Sequence, residues 1–196
     1  MMNDDKTVKI HFHGPFGFDK GENYLFPSKI AGSGGIYIWT IKDETNDINY
    51  ICYIGETYLF SKRHREHLLE ITGLNYRIID PVEARHGREK VIWNGMWRDK
   101  TPDAAARLLE NYDKVAGVVV DYIRLINIYL APIQDDSRLR KHIEGCIGLN
   151  LRQKHPELNI FYPADNYVRP MPEKMGEKLI ITADEKIAGL DEELLI

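Results

Sequence analysis

The side chains best suited to phosphate chemistry lie in two separated segments of the chain. Arg63 and His67 are four residues apart, so a helix places both on one face, where both can point at one phosphate. Glu144 is the single acid among five bases in residues 137–155, which carry a net charge of +4. Hydrolysis of a phosphodiester needs activated water, stabilised charge at phosphorus and support for the leaving oxygen. A divalent metal held by one carboxylate can supply that support.

Each of these residues also has an ordinary structural interpretation. Glu144 could form an ion pair with Arg140, which lies four residues earlier on the same predicted helix. Arg63 could be a solvated charge, because residues 56–73 hold three bases and three acids. Both alternatives stay open at the level of the sequence.

Two tyrosines occur in strand-like tripeptides upstream of the basic helix. Tyr37 ends the tripeptide GIY, and Tyr53 begins the tripeptide YIG. Both alternate with apolar neighbours, so a role in the core of a sheet also fits their positions. A phenol with a pKa of about 10 is a poor base unless an arginine or a metal lowers that pKa.

Taken in order, these segments resemble the GIY-YIG nuclease family. The residues that carry the resemblance are Gly35-Ile36-Tyr37, Tyr53-Ile54-Gly55, Arg63, His67, Glu144 and Asn159. Fifteen residues separate the two tyrosines, more than the family's common spacing, which predicts a longer hairpin loop. Residues 74–120 have no counterpart in the minimal family core, so the resemblance implies nothing for them.

The resemblance implies a DNA endonuclease that uses Mg²⁺ (or Mn²⁺), with Glu144 as the metal ligand. Arg63 would clamp the non-bridging phosphate oxygens, Tyr37 would help to activate water, and Tyr53 would orient phosphate or water. The implied catalytic set is Tyr37, Tyr53, Arg63, His67, Glu144 and Asn159. The compact chain is similar to stand-alone, restriction-type members, and a homodimer fits that comparison. The alternative is a non-cleaving nucleic-acid-binding module on the same fold.

Hydrophobic periodicity predicts the elements that would position these residues. The predicted strands are residues 35–41, 49–55, 118–132 and 179–182, and the predicted helices are residues 58–71, 102–116 and 137–154. The dipeptide Asn94-Gly95 predicts a tight hairpin turn within residues 91–97. The first two strands are too close in sequence to be joined by a crossover helix, so they are expected to be antiparallel. The predicted fold class is therefore α+β, with a small central, mostly antiparallel β-sheet flanked by helices and an inserted hairpin plus helix.

Composition divides the chain into three predicted parts. Residues 1–33 form an aromatic, glycine-rich N-terminal lead-in, residues 34–162 a GIY-YIG-like nuclease domain with an insertion at 74–120, and residues 163–196 an acidic C-terminal extension. The chain has 26 bases and 30 acids, and its net charge of −4 lies within residues 173–196. The net charge argues against a generic nucleic-acid-coating protein, but residues 1–172 are balanced, so the charge of each segment is considered separately.

The insertion is expected to recognise DNA or to stabilise a dimer. Arg85, Arg88 and Lys90 precede Trp93 and Trp97, and bases beside exposed aromatic rings suit a nucleic-acid surface. The alternative is that both tryptophans pack the hairpin onto the following helix while the charges are ordinary solvated groups.

The remaining histidines and cysteines predict no further site. His11 and His13 lack an accompanying metal-ligand spacing and are expected to pack locally. Cys52 and Cys146 are far apart, so neither a disulfide framework nor a structural zinc site is expected. No apolar run approaches the roughly 20 residues that a membrane-spanning helix needs. The expected compartment is the cytoplasm, with no membrane partner.

Overall fold

The computed structural model describes residues 7–133, 136–163 and 177–196. The strands of its main sheet are β1 (Thr7–Phe16), β2 (Gly35–Asp43), β3 (Ile48–Thr57), β6 (Ile126–Pro132), β7 (Lys178–Ala183) and β8 (Glu193–Leu195), with the short strands β4 (Ile78–Ile79) and β5 (Val91–Trp93) forming a separate pair. The spatial order of the main sheet is β3-β2-β6-β1-β7-β8. Neighbouring strands are antiparallel except β1 and β7, which are parallel.

Four α-helices and two short 3-10 helices complete the architecture. They are α1 (Phe60–Thr72), α2 (Pro81–Ala84), α3 (Ala104–Leu125) and α4 (Ser137–Lys154), with 3-10 turns at Lys29–Gly32 and Pro156–Leu158. The coarse prediction of an α+β protein with a mostly antiparallel sheet is confirmed. No helix in the described ranges has the length and apolar character needed to cross a bilayer.

Helix α4 packs on one face of the sheet. Ile36 and Ile38 of β2 and Ile54 of β3 are buried in the same cluster as Ile143 and Ile147 of α4. Burial of one such side chain contributes about 1.5–3 kcal/mol, so this face alone holds α4 firmly. The isoleucines of α4 are four residues apart, which aligns them on one side of the helix and leaves Glu144 near its border.

Helices α1 and α3 cover the opposite face. Tyr37 and Trp39 alternate with the isoleucines of β2 and pack with Phe60 of α1 and Val115 and Val119 of α3. Strand β2 is therefore buried on both faces, in agreement with its nearly continuous apolar sequence. Tyr37 therefore lies on one face of the sheet, and the helix that carries Glu144 packs on the other.

The predicted hairpin of β2 and β3 is confirmed, but its extra residues do not lie in a long loop. Only residues 44–47 connect the strands, and Asp43 accepts a 2.8 Å hydrogen bond from the backbone N–H of Thr45. The extra residues lengthen both strands, and one of them forms a β-bulge in β3. Trp39 pairs with Tyr53 and Thr40 pairs with Ile51, so Cys52 between them has no partner on β2. The tyrosines keep their register, and the loop prediction is corrected.

The strand predicted over 118–132 is wrong in its first half. Helix α3 continues to Leu125, and only residues 126–132 form a strand. Val115 and Val119 are one helical turn apart and both buried, so packing outweighs the strand preference of the valine run. Gly117 lies in open space within the helix and does not end it, because an interior glycine costs only about 1 kcal/mol.

The predicted Asn94-Gly95 hairpin turn is also wrong. Strand β5 ends before it and pairs with β4, which precedes α2. Gly95 has a positive φ of 86° and lies against the backbone of residues 75–76, where a Cβ would come within 2.5 Å of the Asn75 carbonyl oxygen. Glycine is therefore required at position 95 because two chain segments approach each other closely there, and not because the residue forms a hairpin turn.

Both ends of the chain contribute to the main sheet. Strand β1 lies in the N-terminal lead-in, where no strand was predicted, and pairs with β6 on one side and β7 on the other. The predicted strand at 179–182 is confirmed as β7, from the acidic extension. The lead-in, the central segment and the extension thus share one continuous sheet.

Candidate active site

The tyrosines of the two tripeptides form one stack near the outer edge of the sheet. Tyr37 on β2 pairs across the sheet with Gly55 on β3. A Cβ atom at Gly55 would overlap the Tyr37 ring, so only glycine lets the ring lie across the strand. Tyr53 stacks on Tyr37, with 5.8 Å between ring centroids and 15° between ring planes. The glycine of the second tripeptide therefore makes room for the tyrosine of the first.

The hydroxyl of Tyr37 is the centre of a buried hydrogen-bond network. It lies 2.8 Å from Nε2 of His67, and Nε of Arg63 donates to it at 3.3 Å. Burial, with a smaller contribution from Tyr53, raises the pKa of the Tyr37 phenol, and Arg63 does not offset this. The phenol therefore keeps its proton. Because its oxygen accepts from Arg63, that proton is directed to His67.

His67 extends the network to Tyr76. Its Nδ1 lies 3.0 Å from the Tyr76 hydroxyl, so each ring nitrogen faces one tyrosine. Burial, followed by repulsion from Arg63, lowers the pKa of His67 and keeps its ring neutral. A neutral ring that accepts from Tyr37 at Nε2 carries its proton on Nδ1 and donates it to Tyr76. A continuous chain of hydrogen bonds thus connects Arg63, Tyr37, His67 and Tyr76.

The outer end of this chain opens onto a cleft of about 280 Å³. Tyr53 of β3 lines it on the side of the sheet, and Tyr76, Asn94 and Trp97 of the insertion line it as well. The Trp97 side chain is exposed, and its Nε1 donates to Glu70 at 2.9 Å. The insertion therefore forms one wall of the cleft beside the tyrosine stack.

His64 is buried next to the tyrosine network and is held by two hydrogen bonds. Its Nδ1 lies 2.8 Å from the carbonyl oxygen of Phe60, so Nδ1 carries the proton and donates it there. Nε2 then accepts from the indole N–H of Trp39 at 3.2 Å. Burial lowers the pKa of His64 to about 4, because a second proton would have to displace the Trp39 hydrogen bond in a dry environment.

We expect His64 to make folding sensitive to acid. An unfolded histidine titrates at a pKa of about 6.5, so between pH 6.5 and 4 the unfolded state binds a proton that the folded state does not. The contribution of His64 is therefore complete above pH 6.5 and falls by roughly 3 kcal/mol as the pH drops to about 4. Urea unfolding across this range measures it.

The variant His64→Gln keeps an acceptor for Trp39 but does not titrate. Its free energy of unfolding should fall less steeply with decreasing pH than that of the wild type, whatever its stability at pH 7. His86→Gln is the control, because His86 is exposed. Equal slopes for wild type and His64→Gln would contradict the assignment of a buried neutral ring.

Glu144 approaches the same edge of the sheet from the opposite face. Burial, together with the charge of Glu56, raises its pKa to about 7, while Lys141 and Arg63 act in the opposite direction. The alternative ion pair between Arg140 and Glu144 is not the one found: Nε of Arg140 lies 3.0 Å from Glu56. Glu144 is therefore a partly buried carboxylate held beside a second acid and within the electrostatic influence of Arg63.

Glu56 is a site residue that the sequence analysis missed. Its side chain is 19% exposed and is fixed by Arg140, whose own side chain is 8% exposed. Two neighbouring carboxylates repel each other, and oxygen donors of this kind are the ligands that Mg²⁺ and Mn²⁺ prefer. The donor set of Glu56 and Glu144 therefore fits a divalent cation. The available signal was strand alternation, which places Glu56 on the face opposite Tyr53, the face that α4 covers.

Asn159 lies just after the second 3-10 helix. Its buried Oδ1 atom accepts no hydrogen bond from the part of the chain that the structure describes. The contacts of the tyrosine network and of Glu144 do not include Asn159. Its place in the catalytic set stays a prediction.

Three bases of the insertion that were expected to contact DNA are engaged in ion pairs. Arg85 pairs with Glu44, Arg88 with Glu83 and Lys90 with Asp80. The two tryptophans differ: Trp93 is buried and donates to the carbonyl oxygen of Leu74, whereas Trp97 is exposed. The expected pair of exposed aromatics is therefore reduced to Trp97, and the expected free basic surface at these three residues is neutralised by acids.

Comparison with family models, with curated protein sequences and with solved structures finds no match for this chain. The chemistry of the site is therefore argued from its own residues and geometry.

Proposed function

We propose that this protein is a metal-dependent endonuclease that hydrolyses DNA phosphodiester bonds, as its resemblance to GIY-YIG nucleases implies. The observation that supports this most is the position of Arg63, which donates to Tyr37 and also opposes the raised pKa of Glu144. One guanidinium thereby connects the hydroxyl network on one face of the sheet with the carboxylate pair on the other.

Arg63 is suited to binding the scissile phosphate. Its Nε donates to Tyr37, and its Nη1 lies 3.2 Å from Glu66 in a partly exposed pair. Such a pair contributes little stability, so a phosphate can replace Glu66 as the acceptor. The planar guanidinium can donate to two non-bridging oxygens at once, which stabilises the charge that develops around phosphorus.

Glu144, with Glu56 beside it, would hold the Mg²⁺ (or Mn²⁺) ion. A bound divalent cation would supply charge stabilisation at the leaving oxygen. Arg140 holds Glu56 in place, so the second carboxylate is positioned before any cation arrives. The raised pKa of Glu144 comes first from burial and then from the charge of Glu56, and a bound cation would oppose both effects.

The hydroxyl network can move a proton away from the attacking water. Tyr37 is completely buried and holds its proton, so it acts as a relay and not as a standing phenolate. As Tyr37 accepts a proton at its oxygen, it can pass its own to Nε2 of His67, whose Nδ1 proton can move to Tyr76. Tyr76 lines the cleft and would release its own hydroxyl proton to the solvent there. Tyr53, which lies over Tyr37 and lines the cleft, is placed to orient water or phosphate.

The complete burial of Tyr37 also favours a second candidate function. A binding module with the same fold would hold DNA through Arg63 without giving water access to the network. A homodimer and a cytoplasmic location stay predictions of the sequence under either function, and restriction-type specificity stays a prediction for the endonuclease.

The two functions are separated by incubating the purified protein with supercoiled plasmid DNA, with Mg²⁺ or with excess chelator. An endonuclease converts the plasmid to nicked or linear forms with Mg²⁺ and leaves it supercoiled with chelator. DNA binding in a gel-shift assay without cleavage under any divalent cation would establish the binding module. Cleavage that persists in chelator would rule out the metal-dependent mechanism.

A further inference from the structure

Three metal-ligating side chains meet on the main sheet, away from the candidate active site. His11 and His13 are two residues apart on β1, so both project from the same face. Asp184 follows β7 directly, and the parallel pairing of Phe12 with Ala183 brings it beside them. One ligand atom from each of the three side chains lies within 4.8 Å of the other two. The expectation that these histidines only pack locally is therefore corrected, because their partner lies at the far end of the sequence.

The contacts of the cluster are those of a preformed ligand set. Nε2 of His11 lies 2.7 Å from Oδ1 of Asp184, and Nδ1 of His13 lies 3.9 Å from Oδ2. The backbone N–H of Gly14 donates to Oδ2 at 3.0 Å, which orients the carboxylate. Nδ1 of His11 lies 2.8 Å from the Thr182 hydroxyl, a second contact that fixes the ring. A hydrogen bond at the far ring nitrogen is the usual support of a metal-binding histidine.

We propose that His11, His13 and Asp184 bind a Zn²⁺ ion on the surface of the sheet. Two imidazoles and one carboxylate match the donor set of open zinc sites. The three side chains are 40–48% exposed, so further coordination positions face solvent and can hold water or an exogenous ligand. Nitrogen donors favour Zn²⁺ over Mg²⁺, which prefers oxygen ligands. This site is therefore chemically distinct from the carboxylate pair of Glu56 and Glu144.

A bound Zn²⁺ would also have a mechanical consequence. His11 and His13 belong to the N-terminal strand and Asp184 to the C-terminal segment, so the ion would cross-link the two ends of the described chain. A ligand that binds only the folded state raises its stability. Zn²⁺ should therefore raise the melting temperature of the protein, whereas Mg²⁺ at the same concentration should not do so through this site.

The test is titration of metal-free protein with Zn²⁺, followed by isothermal calorimetry and by thermal melting. We expect one Zn²⁺ at this site and a rise in melting temperature. The double variant His11→Asn/His13→Asn should lose at least about 10-fold in affinity together with the thermal shift, and Asp184→Asn, which can still accept from Gly14, should weaken binding comparably. His86→Asn is the matched surface control and should bind as the wild type does.

Glu144→Gln should retain this Zn²⁺ binding in full, so the result is independent of whether the protein cleaves DNA. Equal Zn²⁺ affinity in the wild type and the double histidine variant would overturn the proposal. Absence of measurable Zn²⁺ binding to the wild type would overturn it as well.

Discussion

Glu144→Gln should abolish metal-dependent DNA cleavage and at the same time stabilise the metal-free protein. Loss of the ligand that positions the cation should lower the cleavage rate by about 10³-fold or more, since such a cation contributes several kcal/mol at the transition state. The gain in stability follows from the pKa of about 7, which burial and Glu56 impose on Glu144. In the unfolded chain a glutamate has a pKa of about 4.3, so ionisation above that value opposes folding.

The stability difference should depend on pH in a defined direction. At pH 8 in chelator, Glu144 is charged in both states, and Glu144→Gln should be more stable than the wild type by about 2 kcal/mol, after allowance for solvent screening. Near pH 4.5 the folded carboxyl is protonated, so the difference should vanish. Urea unfolding at both pH values measures this effect, and plasmid cleavage in Mg²⁺ measures activity.

Glu157→Gln is the control for Glu144→Gln, because Glu157 is exposed on the second 3-10 helix. It should leave both cleavage and stability unchanged. Wild-type cleavage by Glu144→Gln would remove Glu144 from the proposed metal site. Lost cleavage with strongly reduced stability would instead indicate that Glu144 is a structural residue.

Local sequence patterns were sufficient for the elements that carry the proposed site. Strands β2 and β3 follow from dense β-branched and aromatic residues, and α1 lies within two residues of its predicted bounds at both ends. Helix α4 covers its predicted range, Ser137–Lys154, and the side chain of Asp136 caps it by accepting the first backbone hydrogen bonds. These elements can be predicted because turn residues and side-chain spacing within each segment determine them.

The parts that the sequence did not reveal depend on contacts between distant segments. Strand β1 is stabilised by pairing with β6 and β7, and neither partner is near it in sequence. Likewise the extra turns of α3 are retained because Val115 and Val119 bury against the sheet. The same limit applies to side chains: Glu56 and Tyr76 acquire their interactions only when α4 and α1 are in place.

Arg63→Ala should lower the turnover number for DNA cleavage by about 10²-fold or more while weakening DNA binding only slightly. A donor aimed at charge that develops at phosphorus acts mainly on the transition state, and removing such a donor costs about 10²–10³-fold in other hydrolases. Arg63→Lys should recover little of this activity. A lysine ammonium has three donors on one atom and lacks the planar fork by which Arg63 donates to Tyr37 through Nε while its Nη groups can make parallel bonds to a phosphate.

Arg65→Ala provides the matched control on the same helix. Arg65 is exposed, and its guanidinium lies over the Phe26 ring at 5.6 Å, so the variant removes one positive charge from α1 without touching the tyrosine network. It should change DNA affinity about as much as Arg63→Ala does, and turnover hardly at all. Single-turnover cleavage rates and filter-binding affinities separate the two effects. Equal losses of affinity and turnover in Arg63→Ala would make Arg63 a contact to the DNA backbone, and the proposed bridge between the hydroxyl network and Glu144 would then have no catalytic role.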